Sequence, residues 1–492
     1  MSSPSPNDAA PLAQNTRSGI ELTGIEIVSE AERTARPRDL FLPWFASNIS
    51  VFGMSYGAWV LDFGISFWQA TVVAILGVVL SFTICGVIAL GGKRGSVPTM
   101  VMSRAAFGVQ GAKAPGVVSW LTSIGWETML AITAVLATAT IFQRLGWVGE
   151  DPTMLQIFAA AIVAALIVLG AVAGYHIIMK MQSVLTVLTG ITTIIYVALV
   201  IPEIRWGSLF AIESGSLPAM IGAMTMVMSG MGLGWVNIAA DWARYQSREA
   251  HGSAIVFWNT LGGSLGPAVL ITFGLMLAGS SKEIASGISA DPVGALAQVL
   301  PTWFLIPFLL TAILSLLSGA INGIYSSGLT LLTLGINIPR PVASLIDGLI
   351  LTMGTIYVVF YAPNFVGPFQ SFLLTLGVPL AAWAGIMMAD ILLRRKDYDE
   401  HGLFNSSGRY GAVNWVALAI MGVACGVGWG FVVNSFAKDA AWNNWQGYLL
   451  FLIGGRESEW AYGNIGVILA LILGFCSYYA LSRARVRRQE LD

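Results

Sequence analysis

Twelve apolar runs, each about the length needed to cross a lipid bilayer, dominate this sequence. A hydrocarbon core of roughly 30 Å takes about 20 residues of helix. Runs of that kind fall near 41–61, 69–91, 115–142, 154–174, 181–202, 217–240, 253–279, 303–334, 343–362, 366–393, 411–434 and 463–481. In lipid every backbone N–H and C=O must be satisfied within the protein, so such runs are helices. The expected fold class is an all-α polytopic membrane protein with 12 transmembrane helices. The stretch 445–455 (WQGYLLFLIGG) is apolar but only 11 residues long, which suits an interfacial or re-entrant segment better than a crossing.

Composition excludes several alternatives. Of 492 residues, 56% are hydrophobic and 10% charged, whereas a soluble domain carries roughly 25% charge. A net charge of −1 offers no basic patch for nucleic acid. Cys85, Cys425 and Cys476 lie in apolar runs and read as small buried hydrophobes, building neither a disulfide framework nor a zinc site. His176, His251 and His401 are scattered without ligand spacing. No cofactor or metal is expected. The N-terminus is polar and Pro/Ser-rich, with no apolar stretch before Phe41. It reads as a disordered cytoplasmic tail over 1–38, not a signal peptide.

Charge also orients the chain. With the N-terminus inside, twenty of the 25 Lys and Arg residues fall in inner segments and five in outer ones. That is the positive-inside bias, and a miscounted span would destroy it. Both termini are therefore expected in the cytoplasm of a multi-pass protein of the plasma or inner membrane.

Two spans are poor continuous helices. The first contains Gly53 and Gly57 beside Asn48, Ser50 and Ser55, and the sixth contains Gly230, Gly232 and Gly234. Each glycine costs roughly 1 kcal/mol against alanine inside a helix, although glycine also permits close helix packing. The two spans are five apart. A five-span repeat would place them in corresponding positions, and because five is odd the second copy must be inverted. Interrupted spans at matching positions of two halves point to a transporter's midplane site. Expected divisions are a first repeat over 39–202, a second over 203–395, a cytoplasmic loop at 396–410, two added spans over 411–482 and a basic tail at 483–492.

Several side chains could read a substrate. Glu127 lies near the middle of the third span, where a carboxylate is expensive and should face the bundle interior. It could serve function or a structural hydrogen bond. Trp126 offers a flat stacking face, but the chain has 17 tryptophans and many belong to interfacial belts. Trp235 sits on the broken sixth span. Asp241 and Arg244 follow at helical i, i+3 spacing, as a gate or a structural cap. In the eighth span Ser315, Ser318, Asn322 and Tyr325 make a polar stripe. Asn322 has both an acceptor and donors and could contact the N–H/C=O edge of a nucleobase-like ring. Interhelical hydrogen bonding is the plainer role for that stripe.

These residues stand in segments that resemble one family. GGKRGSVPTMVMSRAAFGVQG (91–111), GWVNIAADWARY (234–245), NGIYSSGL (322–329), PLAAWAGIMMADILLRRKDYDEHGLF (379–404) and GAVNWVALAIMGV (411–423) are similar, in order, to motifs of the nucleobase–cation symporters, which include purine/cytosine, hydantoin, allantoin and uracil permeases. The likeness runs from about residue 38 to 434. It implies a 5+5 inverted-repeat, leucine-transporter-like fold plus two C-terminal helices, importing its substrate by cation symport through alternating access. The resemblance carries over Trp126, Trp235 (with Gly232 as the other alignment) and Asn322 for substrate, and the first break adds Phe52 and Gly53.

This chain also departs from the pattern. Leu130 stands where some relatives have Gln or Asn. Sodium-dependent relatives carry two adjacent hydroxyl residues where this chain has Ser318 and Gly319. One hydroxyl is lost there, which favours H+ over Na+ as the coupling cation, with Glu127 as its carrier. The expected substrate is a small heterocycle, cytosine and/or a purine. Allantoin, hydantoin, uracil or a vitamin such as thiamine are alternatives on the same fold, and a passive facilitator is the alternative from a different class. No nucleophile–base pair or phosphate-binding loop suggests an enzyme, and the chain is expected as a monomer or weak homo-oligomer in the bilayer.

Overall fold

The computed structural model describes residues 25–491 apart from 174, 337, 363, 435–440 and 442–443, and gives no side-chain description for 171–173, 175–183, 322, 340 and 341. It is all-α among these residues. Ten helices are long and apolar enough to cross a membrane, from Phe67–Gly95 to Gly466–Leu491. The eleventh span, Trp415–Gly430, is a shorter apolar helix. The first is interrupted, as its polar and glycine content requires: Phe41–Asn48 ends, the chain turns through Ile49 (φ −85°, ψ 80°), and Phe52–Leu61 follows. The sixth runs as Leu217–Gly230, leaves helical geometry at Met231 (φ −108°, ψ −119°), and resumes in short turns through Gly232–Trp235 and Ala239–Ala243.

Packing between spans comes in pairs offset by five. The first span packs on the seventh (Gly252–Ser280), and the sixth packs correspondingly on the second (Phe67–Gly95). The third (Lys113–Arg144) meets the ninth (Arg340–Tyr361), as the eighth (Thr302–Thr333) meets the fourth (Thr153–Ala173). The fifth (Tyr175–Val200) lies on the eighth, as the tenth (Val366–Leu393) lies on the third. This is the 5+5 arrangement, with the halves interleaved rather than side by side.

Glycine decides how close the first pair comes. A Cβ built on Gly274 would lie 1.9 Å from the carbonyl oxygen of Met54, and one on Gly57 would lie 2.2 Å from the backbone of Gly274. Backbone cannot rotate away as a side chain can. Gly274→Ala is therefore expected to cost about 3 kcal/mol or more, the upper end of overpacking penalties. The check is size-exclusion chromatography of the detergent-extracted variant, which should show loss of the monodisperse peak.

Two segments differ from expectation. Of the tail expected to be disordered over 1–38, residues 25–38 are folded, while 1–24 lie outside the described residues. Val28 is buried and its N–H donates to the carbonyl of Ser96. Arg33 is buried and donates to Ser96 Oγ, to the carbonyl of Lys93 at 2.6 Å and to that of Gln246 at 3.0 Å. Such backbone acceptors leave no motif in the sequence. The basic tail at 483–492 continues the last helix to Leu491, because Val486 and Gln489 are buried against the bundle. The apolar stretch 445–455 holds a 3₁₀ turn, Leu450–Ile453, with Phe451 and Leu452 exposed.

Candidate functional site

The two breaks face one another across a central cavity with an empty volume of about 820 Å³, counting its opening. Its walls come from both repeats: Ser50, Phe52, Gly53 and Tyr56 of the first span, Gly230, Gly234 and Trp235 of the sixth, Trp126 and Glu127 of the third. Where a helix is broken, carbonyl groups lose their helical donors, although the amides of Gly53, Met231, Gly232 and Gly234 are donated within the protein. The site thus combines a polar backbone with aromatic walls.

Trp126 is held in orientation by the tenth span, meeting Phe369 and Phe372 edge-on with ring centroids 5.6 Å away in each case. Its indole nitrogen stands against Gly234, where a Cβ would approach to 2.9 Å. Trp235 is braced edge-on by Trp44 at 6.1 Å. Phe52 lines the cavity from a cluster of Tyr56, Trp59, Phe365 and Phe369. The flat faces are thus set by packing before any ligand arrives.

Glu127 is completely buried, and neither carboxylate oxygen has a hydrogen-bond partner among the described residues. It fits against the eighth span only because residue 323 is glycine: a Cβ there would lie 2.7 Å from Glu127 Oε1. A charge in that place is costly unless a proton or another cation balances it. Gly323→Ala should displace the carboxyl while leaving the bundle intact. At the usual 1–3 kcal/mol for overpacking, uptake should fall roughly tenfold or more at unchanged membrane abundance, measured by labelled-substrate transport against an immunoblot.

The eighth span faces the cavity through Ser315, Gly319 and Gly323, which follow i, i+4, i+8 spacing. Ser318 stands roughly 100° around the helix from Gly319 and is buried without lining the cavity. The hydroxyl at the first break is that of Ser315, 3.3 Å from Ser50 Oγ. Asn322 belongs to the same helix, but its side chain lies outside the described residues. Gly53 lines the cavity, whereas Gly232 does not. Gly232 is pressed on the second span, its N–H donating to Ser81 Oγ at 3.0 Å and its Cα against the backbone of Ser81 and Phe82. Leu130, the departure from the family pattern, does line the cavity.

Asp241 accepts from Thr99 N and Oγ1 at 2.8 and 2.7 Å, capping the short helix Thr99–Phe107. Arg244 lies over the ring of Tyr245 at 5.0 Å. The cap reading therefore has its partners in place.

Two contributors escape the sequence reading. Asn237 lines the cavity and donates to Ser119 Oγ at 3.0 Å and Ser123 Oγ at 3.2 Å, fastening the broken sixth span to the third. Asp347, in the ninth span, is fully buried and accepts from Trp120 Nε1 at 2.9 Å and from Ser327 Oγ. An acidic residue inside an apolar run is the signal that points to Asp347. Nothing local marks Asn237.

Residues 27–450 match the model of a family described as permeases for cytosine/purines, uracil, thiamine and allantoin. A relative, the putative purine-cytosine permease YxlA of Bacillus subtilis, is 23% identical over 487 residues, covering 96% of this chain and 97% of that one. The fold is similar to that of Mhp1, a nucleobase-cation-symport-1 family transporter solved in a closed conformation with bromovinylhydantoin bound. The TM-score is 0.68 at 20% identity, over 96% of this chain and 99% of that one. It is also similar to a Na+-coupled sialic acid symporter in a substrate-bound outward-open state, with a TM-score of 0.59 at 13% identity over 95% of this chain and 93% of that one.

Proposed function

The chain belongs to the permease family for cytosine/purines, uracil, thiamine and allantoin, and on that premise we propose that it imports a nucleobase, cytosine and/or a purine, by proton symport. The substrate ring would lie between Trp126 and Trp235, with backbone of the two breaks and Asn322 reading its edge. The repeats over 39–202 and 203–395 would alternate access to it, with both termini in the cytoplasm.

The observation that carries this reading is the pairing of aromatic walls with an unpartnered carboxyl in one cavity. Among the described residues Asp347 has hydrogen-bond donors and Glu127 has none. Glu127 is thus the group whose charge must be balanced, and a proton taken up with the substrate balances it. Opening the site to one side wets the carboxyl and releases the proton there. Sodium is the competing cation, and Ser50 with Ser315 is where its oxygen ligands would start. The same carboxyl also favours a second substrate reading, a cationic ring such as that of thiamine, whose own charge would meet Glu127.

The test is uptake of labelled cytosine, hypoxanthine and thiamine in a host lacking its own permeases, with sodium replaced by choline and then with a protonophore. Saturable accumulation of cytosine or hypoxanthine, indifferent to sodium and abolished by the protonophore, is the expected result. Sodium dependence would overturn the proton assignment. Uptake of thiamine alone would move the substrate to the cationic ring.

A further inference from the structure

A second cavity lies at the far end of the molecule, between the start of the Trp415–Gly430 helix and the end of the Gly466–Leu491 helix. Its empty volume is about 890 Å³, counting its opening, and Arg409, Arg485 and Arg488 line it. Arg409 is committed, pairing with Asp399 at 3.1 Å and donating to the carbonyl of Gln489 at 3.2 Å. Arg485 spends one nitrogen on the carbonyl of Tyr410 at 2.6 Å, but its Nε is buried without a partner. Among the described residues no carboxylate pairs with Arg485 or Arg488.

Ser482 lines the same cavity. It is 1% exposed, and its hydroxyl has no hydrogen-bond partner among the described residues. The 16-residue Trp415–Gly430 helix begins at the cavity with no side-chain cap, so the positive end of its dipole is open there. Positive charge, an idle hydroxyl and uncapped amides converge on one space, which is the donor set of a phosphate site.

The rim is apolar. Val416 and Leu481, which line the cavity, are both exposed. A soluble anion has no use for such a border, whereas a lipid has a phosphate at one end and hydrocarbon at the other. This end of the bundle also carries the chain's excess of Lys and Arg, which the positive-inside bias assigns to the leaflet rich in anionic lipid.

We propose that this cavity binds the headgroup of an anionic phospholipid, its phosphate held by Arg485, Arg488 and the Ser482 hydroxyl and its acyl chains laid along Val416 and Leu481. A bound lipid would join the two C-terminal helices at a point where the protein's own contacts leave donors idle. It is a site apart from the transport cavity and does not depend on which substrate or cation the protein takes.

The experiment is native mass spectrometry of the full chain released from nanodiscs, with thermal stability in detergent read in parallel. Phosphatidylglycerol should remain bound and raise the melting temperature, while phosphatidylcholine and inorganic phosphate should do neither. Exchanging both arginines (R485Q with R488Q) should weaken phosphatidylglycerol retention roughly thirtyfold. Should that pair fail to fold, Arg488→Gln alone removes an exposed, unpaired charge and should still weaken retention severalfold. Equal retention of phosphatidylglycerol and phosphatidylcholine, or undiminished retention in the variants, would overturn the site. Stabilisation by inorganic phosphate alone would reassign it to a soluble anion and overturn the lipid.

Discussion

Glu127→Gln is expected to abolish concentrative uptake while leaving the protein folded and able to bind its substrate. Gln has nearly the shape of Glu, so the contact with Gly323 survives, and a neutral side chain relieves the unpartnered burial of the carboxylate. What is lost on the proposed mechanism is the group that takes up the proton and lets it go. One proton crossing a 100 mV potential supplies about 2.3 kcal/mol, enough for roughly fiftyfold accumulation. The variant should therefore fall from that ratio to unity under an imposed gradient in proteoliposomes. Exchange of labelled for unlabelled substrate, which needs no net proton movement, should persist. Undiminished gradient-driven accumulation by Glu127→Gln would remove the carboxyl from the coupling step.

The second large effect concerns affinity. Trp126→Ala removes the stacking face of the third span, worth about 0.5–1.5 kcal/mol for the ring geometry. It also removes the burial of one face of the substrate, about 1.5–3 kcal/mol. Together these predict a roughly 30- to 2000-fold rise in Kd. Because Trp126 also packs on Phe369 and Phe372, some of the loss could come from disturbed walls. Trp126→Phe keeps a flat ring against the same neighbours and should recover most of the binding. A binding isotherm for purified Trp126→Ala matching the wild type would exclude this ring as a substrate wall.

Spans, breaks and the third-span pair were legible because each is written locally. Hydropathy needs only a window of one chain, and Gly230, Gly232 and Gly234 announce a break at Met231 without knowledge of any neighbour. Which glycine faces the cavity was not legible. Gly232 is turned to the second span because Ser81, about 150 residues earlier, supplies its acceptor, and helical phase in the eighth span brings Gly319 rather than Ser318 to the cavity. The folding of residues 25–38 was hidden for the same reason. Arg33 reads backbone carbonyls at 93 and 246, and carbonyls are present in every sequence.

The interleaving of the two halves has a cost in time. The first span's packing partner is the seventh, and the second span serves both the sixth and the seventh. When residue 95 has entered the bilayer, the helix that will cover it ends at residue 280. At 5–20 residues per second, synthesis takes roughly 10–40 s to bridge that interval. Throughout it the break after Asn48 keeps its polar backbone in lipid without its final neighbours. The early half must wait, inserted but unassembled, for the later half to be made. Survival of that waiting intermediate against membrane proteases, rather than the stability of the finished bundle, would then set how much transporter a cell obtains from each messenger.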